Sequence, residues 1–251
     1  MLDELVASPG DDDIGGFPPH PHRGIQTLTY VVHGGLRHED HLGHHSSIGA
    51  GGAQWMHTGH GIIHGETPFT DAEGLHAFQL WINLPAHDKL SEPTYRDVSP
   101  DEMPRHRAPG VELIALGGTW RTSGGDTLEG PLDALAGKVP WRTCASTPGL
   151  PVAREPCHTV AGIRFRRQPD GQWRHPRARR TCQLRPGRHP DAARHRQGQV
   201  LLLAGEPHQE PIAHHGPFVM NHTHELEQAM RDYRDGTLTH SPNEQGLANG
   251  Q

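Results

Sequence analysis

The chain has 251 residues, enough for one large domain or two small ones. Its net charge of −6 gives no bulk attraction to nucleic acid or an anionic membrane, and no leader-like start or 18-residue apolar run appears, so a soluble cytoplasmic protein is expected. Three cysteines cannot form a full disulfide framework, and Gly 31 with Pro 23 in a chain only 33% hydrophobic favours turn-rich β architecture over a helical bundle.

Residues 1–16, with Asp11-Asp12-Asp13, read as a solvated acidic loop. From residue 17 to 98 short strands follow one another. Gln26 to Val32 is β-branched and alternating, bounded by Gly24 and by Gly34-Gly35. Gly49-Ala50-Gly51-Gly52 turns into a run that starts Gln54-Trp55-Met56, read as a wall string with apolar packing. Gly59-His60-Gly61 turns into Ile62-Ile63-His64. Ala77 to Leu84 is the clearest strand, and Pro85 stops it. This even spacing suggests a closed antiparallel barrel, with Val111 to Leu116 as one further strand.

Residues 142–198 differ in kind. They carry 13 Arg, no Lys, seven Pro and only Glu155, Asp170 and Asp191 as acids, and they hold all three cysteines. Strand-like alternation is almost absent, and the stretch does not read as a packed wall. Three readings stay open: a basic insert for acidic partners, a divergent folded segment, or a segment translated in a shifted frame. Cys144, Cys157 and Cys182 with His158 match no standard zinc-ligand spacing. Ordinary patterning returns with Val200 to Ala204, a buried strand, and Gly216 to Asn221. Leu226, Met230 and Tyr233 then predict an amphipathic helix that covers a barrel, capped by Asn221 or Thr223 and ended by Gly236. Residues 240–251 read as a loose tail.

Histidine is abundant at 23 residues, which alone says little, because scattered histidines bind metal adventitiously. Two strings say more: His20-Pro21-His22-Arg23-Gly24 and His64-Gly65-Glu66. Each sets two metal-competent side chains at i and i+2, and alternate residues of a strand share a face. His20 and His22 from one strand, with His64 and Glu66 from another, can line one cavity. Three imidazoles and a carboxylate suit iron(II), manganese, nickel or zinc rather than a closed thiolate site. Glu66 also reads as a base beside the metal. Arg23 faces the other way and reads as half of a structural ion pair. His33, His38, His41, His44, His45, His57 and His60 read as surface or turn residues.

The strings Gly15-Gly16-Phe17-Pro18-Pro19-His20-Pro21-His22-Arg23-Gly24, His38-Glu39-Asp40, Gln54-Trp55-Met56, Gly59 to Glu66, Leu80 to Pro85 and Gly216 to Asn221 resemble the pirin family of the cupin superfamily. The resemblance covers roughly residues 11–98 and 199–238. It implies an all-β bicupin, two β-barrels packed face to face, here with an incomplete second barrel and a short C-terminal helix. Residues 1–120 would form the N-terminal barrel with the metal site, 121–240 the C-terminal region, and 241–251 the tail. The resemblance also implies one iron, Fe(2+), held by His20, His22, His64 and Glu66, with Mn, Ni, Zn or Cu as other divalent choices.

Three departures from the family accompany this. Met1 stands close to the first motif, so early strands of the first barrel are expected to be missing. The acidic residue usual before Gln54 is replaced near Gly52-Ala53. Residues 142–198 do not resemble the second cupin. The activity implied is that of a quercetin 2,3-dioxygenase: O2 opens the ring of a flavonol-like substrate with loss of carbon monoxide, and Glu66 takes the 3-hydroxyl proton. A monomer with no nucleic acid or membrane contact is expected. Two readings stand beside it: an iron-binding redox sensor read by a protein partner, and a degenerate family member without function.

Overall fold

The computed structural model describes residues 1–11, 14–108, 111–122, 124–136, 141–145, 152–153, 159–167, 173–174 and 199–241, with only the backbone course between 141 and 200. The chain divides into two compact units, residues 1–99 with 208–251, and residues 100–207. The C-terminal stretch therefore packs with the first unit, where the sequence division had set it with the second.

The first unit holds nine strands from its N-terminal part: β1 (Leu2–Ala7), β2 (Phe17–His22), β3 (Ile25–His33), β4 (Gly35–Asp40), β5 (His45–Gly49), β6 (Ala53–His57), β7 (Ile62–Phe69), β8 (Leu75–Asn83) and β9 (Thr94–Val98). They hydrogen-bond as two antiparallel sheets, β1-β8-β3-β6-β9 and β2-β7-β4-β5. The expected barrel wall is thus made of two sheets. Val31 and Leu75 from the first and Leu36 and Ile48 from the second pack in one buried cluster, with Leu5, Ala7 and Ile14 against it. Such burial of β-branched and leucyl side chains is the main drive for the two sheets to close on each other. Gln54, Trp55 and Met56 are all buried in β6, as a wall string should be.

Two sequence readings are corrected here. The start of the chain is not a solvated loop: Leu2–Ala7 pairs with β8 as an edge strand, and the Glu4 carboxylate takes a hydrogen bond from buried His76. The acidic residues hid a strand whose pairing partners lie 68 to 78 residues on. The second concerns His38, read as a surface or turn residue: it lies on the β4–β5 hairpin, where inward Leu36 and His38 alternate with exposed Arg37 and Glu39.

The second unit contains β10 (Arg105–Ala108), β11 (Val111–Gly117), β12 (Thr119–Thr122), β13 (Thr127–Glu129), β14 (Trp141–Ala145), β15 (Val152–Ala153), β16 (Thr159–Arg167), β17 (Trp173–Arg174) and β18 (Gln199–Gly205). Six of these make the sheet β10-β11-β14-β18-β16-β17, and three make β13-β12-β15. Within 142–198, where strand-like alternation is almost absent from the sequence, β14 and β16 nonetheless flank the apolar β18 on both sides, in line with the folded-segment alternative. Cys144 lies in β14; Cys157, His158 and Cys182 fall outside the described residues, as does the tail beyond 241.

The C-terminal stretch adds β19 (Ala213–His215), β20 (Phe218–Met220) and α1 (Thr223–Arg234). Phe218, Met220, Leu226, Ala229 and Leu238 form a buried cluster, with Ile63 and Met230 packed on it, so the helix covers the first unit. Tyr233, expected on the covered face, is 43% exposed, and the buried residue at that end is Asp232. The reason is an ion pair: Arg23 Nη1 donates to Asp232 Oδ2 at 2.6 Å, while its other nitrogens donate to the carbonyls of His60 and Leu238. Neither Asn221 nor Thr223 caps the helix. His222 holds the N-cap position, and the Glu225 carboxylate accepts the N–H groups of Asn221 and His222 at 3.0 and 2.7 Å. Gly236 follows the end at φ +73°, as expected. Where β2 turns into β3, Gly24 sits at φ +79°, and a Cβ there would lie 2.1 Å from the carbonyl oxygen of Val219. That close approach lets the C-terminal segment reach the end of β2.

Candidate metal centre

Strand β7 is flanked by β2 and β4, so each inward residue of β7 has a neighbour on either side. His64 stands opposite His20 on β2 and Asp40 on β4; Glu66 stands opposite Phe17 and His38. A shift of register between Phe17 and His20 sets these pairs. The ligand atoms of His20, His22 and His64 lie within 4.8 Å of one another. Those of His38, His64 and Glu66 form a second such group. His64 is common to both, and Glu66 does not come within that distance of all three predicted histidines.

The ring orientations follow from the second nitrogens. His20 Nδ1 donates to the Pro18 carbonyl at 2.9 Å, and His22 Nδ1 donates to the Pro217 carbonyl at 3.3 Å. A carbonyl only accepts, so each ring carries its proton on Nδ1 and its lone pair on Nε2. The ring centroids of His20 and His64 are 4.4 Å apart, and those of His22 and His64 are 5.1 Å apart. His64 Nε2 is buried and finds no hydrogen-bond partner among the described residues. Burial lowers the His22 pKa to about 3, with His20 adding to the effect, and burial likewise drives His64 well below its usual value. Both imidazoles are therefore neutral near pH 7, the state that binds a cation.

Glu66 is the opposite case. It is 4% exposed, and burial raises its pKa to about 7 although Gln79 Nε2 donates to both its oxygens at 3.0 and 3.1 Å. The same amide nitrogen donates to Thr29 Oγ1, so β8 and β3 of the other sheet hold the carboxyl in place. Around the site, Trp81 meets the His22 ring edge-on at 4.8 Å, and Phe17, 45% exposed, lies 6.4 Å from the His20 ring. His20 is half-buried while His22, His64 and Glu66 are buried, so the group opens on the His20 side.

His38 and His60, read from sequence as surface or turn residues, are 3% and 2% exposed. His38 is carried inward by β4, and its ring stacks on Tyr95 at 4.5 Å. The alternation of Leu36, His38 and Asp40 with Arg37 and Glu39 was the available signal. Gln79 and Tyr95 were not legible, since they come from the opposite sheet.

The donor set suits a divalent cation. Imidazole nitrogens converge, one of them buried without a partner among the described residues, and a carboxyl that ionises near pH 7 lies beside them.

Residues 2–82 match the profile of the Pirin family, and residues 177–239 match that of the Pirin C-terminal cupin domain. The second match begins inside 142–198, which corrects the reading that this stretch bears no likeness to the family's second domain. A Vibrio cholerae protein provisionally named quercetin 2,3-dioxygenase is 38% identical over 240 residues, covering 94% of this chain and 84% of its own. A Pseudomonas aeruginosa protein with the same provisional name is 39% identical over 251 residues, covering 95% and 85%. In fold, the chain matches the crystal structure of quercetin 2,3-dioxygenase from Acinetobacter baumannii with a TM-score of 0.69 at 24% identity, over 96% of this chain and 85% of that one. On these matches and on the two-unit β fold that carries the His20 and His64 strings, the chain belongs to the pirin family.

Proposed function

We propose that this protein is a metal-dependent dioxygenase of pirin type that opens the ring of a flavonol such as quercetin with O2. His20, His22 and His64 are the nitrogen ligands, and Glu66 is the fourth ligand and the proton acceptor. The observation that carries the reading is the convergence of three imidazoles, with Nε2 the open nitrogen of His20 and His22, beside a carboxyl whose pKa is about 7. The names of the Vibrio and Pseudomonas relatives support the same activity. A bound divalent cation supplies charge that acidifies a nearby hydroxyl and the redox capacity that O2 chemistry requires. Iron(II) is the first choice.

The chain's own residues supply the rest. Glu66 accepts the 3-hydroxyl proton of the flavonol; burial, which raises its pKa in the metal-free chain, makes it a stronger proton acceptor than a free glutamate. Gln79 holds both carboxyl oxygens, so the base is oriented before substrate arrives. Phe17 and Trp81 give a flat aromatic substrate apolar surface beside the half-buried His20.

Two measurements on one preparation test this. Elemental mass spectrometry should find about one iron per chain in the anaerobically iron-loaded protein and none in the His20→Ala/His64→Ala variant. Oxygen uptake with quercetin should exceed that of the His64→Ala control. Iron bound at full stoichiometry with no uptake above that control removes the dioxygenase reading and leaves the site a binding one.

A further inference from the structure

Strand β4 brings a second layer of groups against His64. We infer that Asp40, His38 and His64 form a hydrogen-bonded chain that fixes His64 as the Nδ1-protonated tautomer and turns its Nε2 lone pair toward His20 and His22. His38 is then a positioning residue that acts through His64. The inference rests on the metal reading only for the use to which that lone pair is put.

The argument runs along the chain from its acidic end. The Asp40 side chain is fully buried, yet its carboxylate is saturated: Oδ1 accepts the N–H groups of Leu42 and His44, each at 3.0 Å, and Oδ2 accepts His44 Nδ1 at 2.8 Å. The same Oδ2 lies 3.1 Å from His38 Nε2. A carboxylate accepts only, so His38 Nε2 carries a proton. In a neutral ring His38 Nδ1 is then the acceptor, and it faces His64 Nδ1 at 3.4 Å. Two lone pairs cannot share a bond, so His64 donates from Nδ1. What remains on His64 is the Nε2 lone pair, the buried atom for which no partner exists among the described residues. The other tautomer would point an N–H at His20 and His22 and could hold no cation there.

The chain is also held sideways. Tyr95 stacks on His38 at 4.5 Å and on His44 at 4.9 Å. Its hydroxyl donates to Asp97 Oδ1 at 2.6 Å, accepts from Gln54 Nε2 at 2.6 Å and meets Ser46 Oγ. The His38 ring therefore has little freedom to turn. Groups that orient a ligating histidine through its other nitrogen usually govern metal affinity by 10–100-fold. The competing arrangement is a cation among His38, His64 and Glu66, whose ligand atoms also converge within 4.8 Å; it would require a nitrogen of His38 as a ligand.

The test is a long-range ¹H–¹⁵N spectrum of the metal-free full chain, followed by zinc(II) titration. The expected result is an Nδ1–H tautomer for His64 before metal, then a metal shift on His64 Nε2 with the His38 nitrogens unmoved. An Nε2–H tautomer for His64, or a metal shift on His38, overturns the inference. Two variants add an affinity readout by chelator competition. His38→Asn keeps an acceptor oxygen near the Nδ1 position and should hold zinc within ~3-fold of the parent; His38→Leu removes it and should lose ~10–100-fold. Folded His38→Leu with parental affinity refutes the positioning role. The predicted tautomer in a chain that takes no zinc upholds the hydrogen-bonded chain and refutes the metal reading instead.

Discussion

Replacing Glu66 by Gln isolates the titration of one buried carboxyl. In the folded metal-free protein this group keeps its proton up to about pH 7, whereas a free glutamate releases it near 4.5. Between those values the folded state binds more protons than the unfolded state, so stability falls as pH rises. At ~1.4 kcal/mol per pH unit the interval amounts to roughly 3 kcal/mol, lost mainly between about pH 5 and 7 and fully lost above about pH 8. His22, His38 and His64 act with the opposite sign: burial lowers their folded pKa values, so they add stability as pH rises toward 6.5. They are present in both proteins and cancel in the difference. Urea unfolding of the EDTA-treated parent and Glu66→Gln at pH 5, 6, 7 and 8 measures that difference. The variant should gain on the parent by on the order of 1.4 kcal/mol per pH unit up to about pH 7, then hold its lead. A difference that stays flat, or narrows, means that Glu66 is ionised in the folded protein and refutes the burial argument. Any constant offset from the changed contact with Gln79 does not affect the slope.

Two further outcomes follow from the same contacts. Gln79→Leu removes the amide that favours the Glu66 anion, so the Glu66-dependent pH window should move upward; an unmoved or lower window in the same unfolding series refutes the role given to Gln79. Asp232→Ala strands the Arg23 guanidinium, 3% exposed, and should cost about 3–5 kcal/mol in urea unfolding, whereas a loss under ~1 kcal/mol shows that α1 is held by its apolar face alone.

The legible part of the site is the part with a local signal. His20 with His22, and His64 with Glu66, are separated by two residues within one strand each, and a period of two brings them to one face without knowledge of any partner. Arg23 was legible as a structural cation for the same reason, but its partner lies 209 residues away and no spacing points to it. His38 sat within a readable alternation, yet a histidine between Arg37 and Glu39 looks exposed until the β4–β7 pairing is known. Gln79 and Tyr95 come from β8 and β9 and meet the site only because two sheets close on each other. Strands β14 and β16 failed to stand out because their arginine and proline setting has no clean period, while their order comes from ladder bonds to β18, more than 30 residues away in sequence. Leu2–Ala7 escaped in the same manner, since an edge strand draws half its definition from its neighbour.

The placement of His64 and Glu66 on a strand with neighbours on both sides accounts for how so polar a cluster stays folded. A strand at the edge of its sheet could offer each of these residues one lateral neighbour; β7 offers two. His64 thereby has a ligand candidate on the β2 side and, on the β4 side, the hairpin that supplies Asp40 and His38. A one-residue slip of β4 would turn His38 and Asp40 outward and leave both ring nitrogens of His64 without a protein partner. The turn at 40–44, tied by three bonds to the Asp40 carboxylate, opposes that slip. With the register held, Glu66 is satisfied by Gln79, His38 by Asp40, and His20 and His22 by backbone carbonyls. The unmet buried nitrogen of this group is His64 Nε2, and leaving such an atom unpaired costs about 1–3 kcal/mol. With the Nδ1 atoms of His20 and His22 bound to backbone carbonyls and His64 Nε2 buried without a partner among the described residues, a cation held by these three imidazoles would remove that cost.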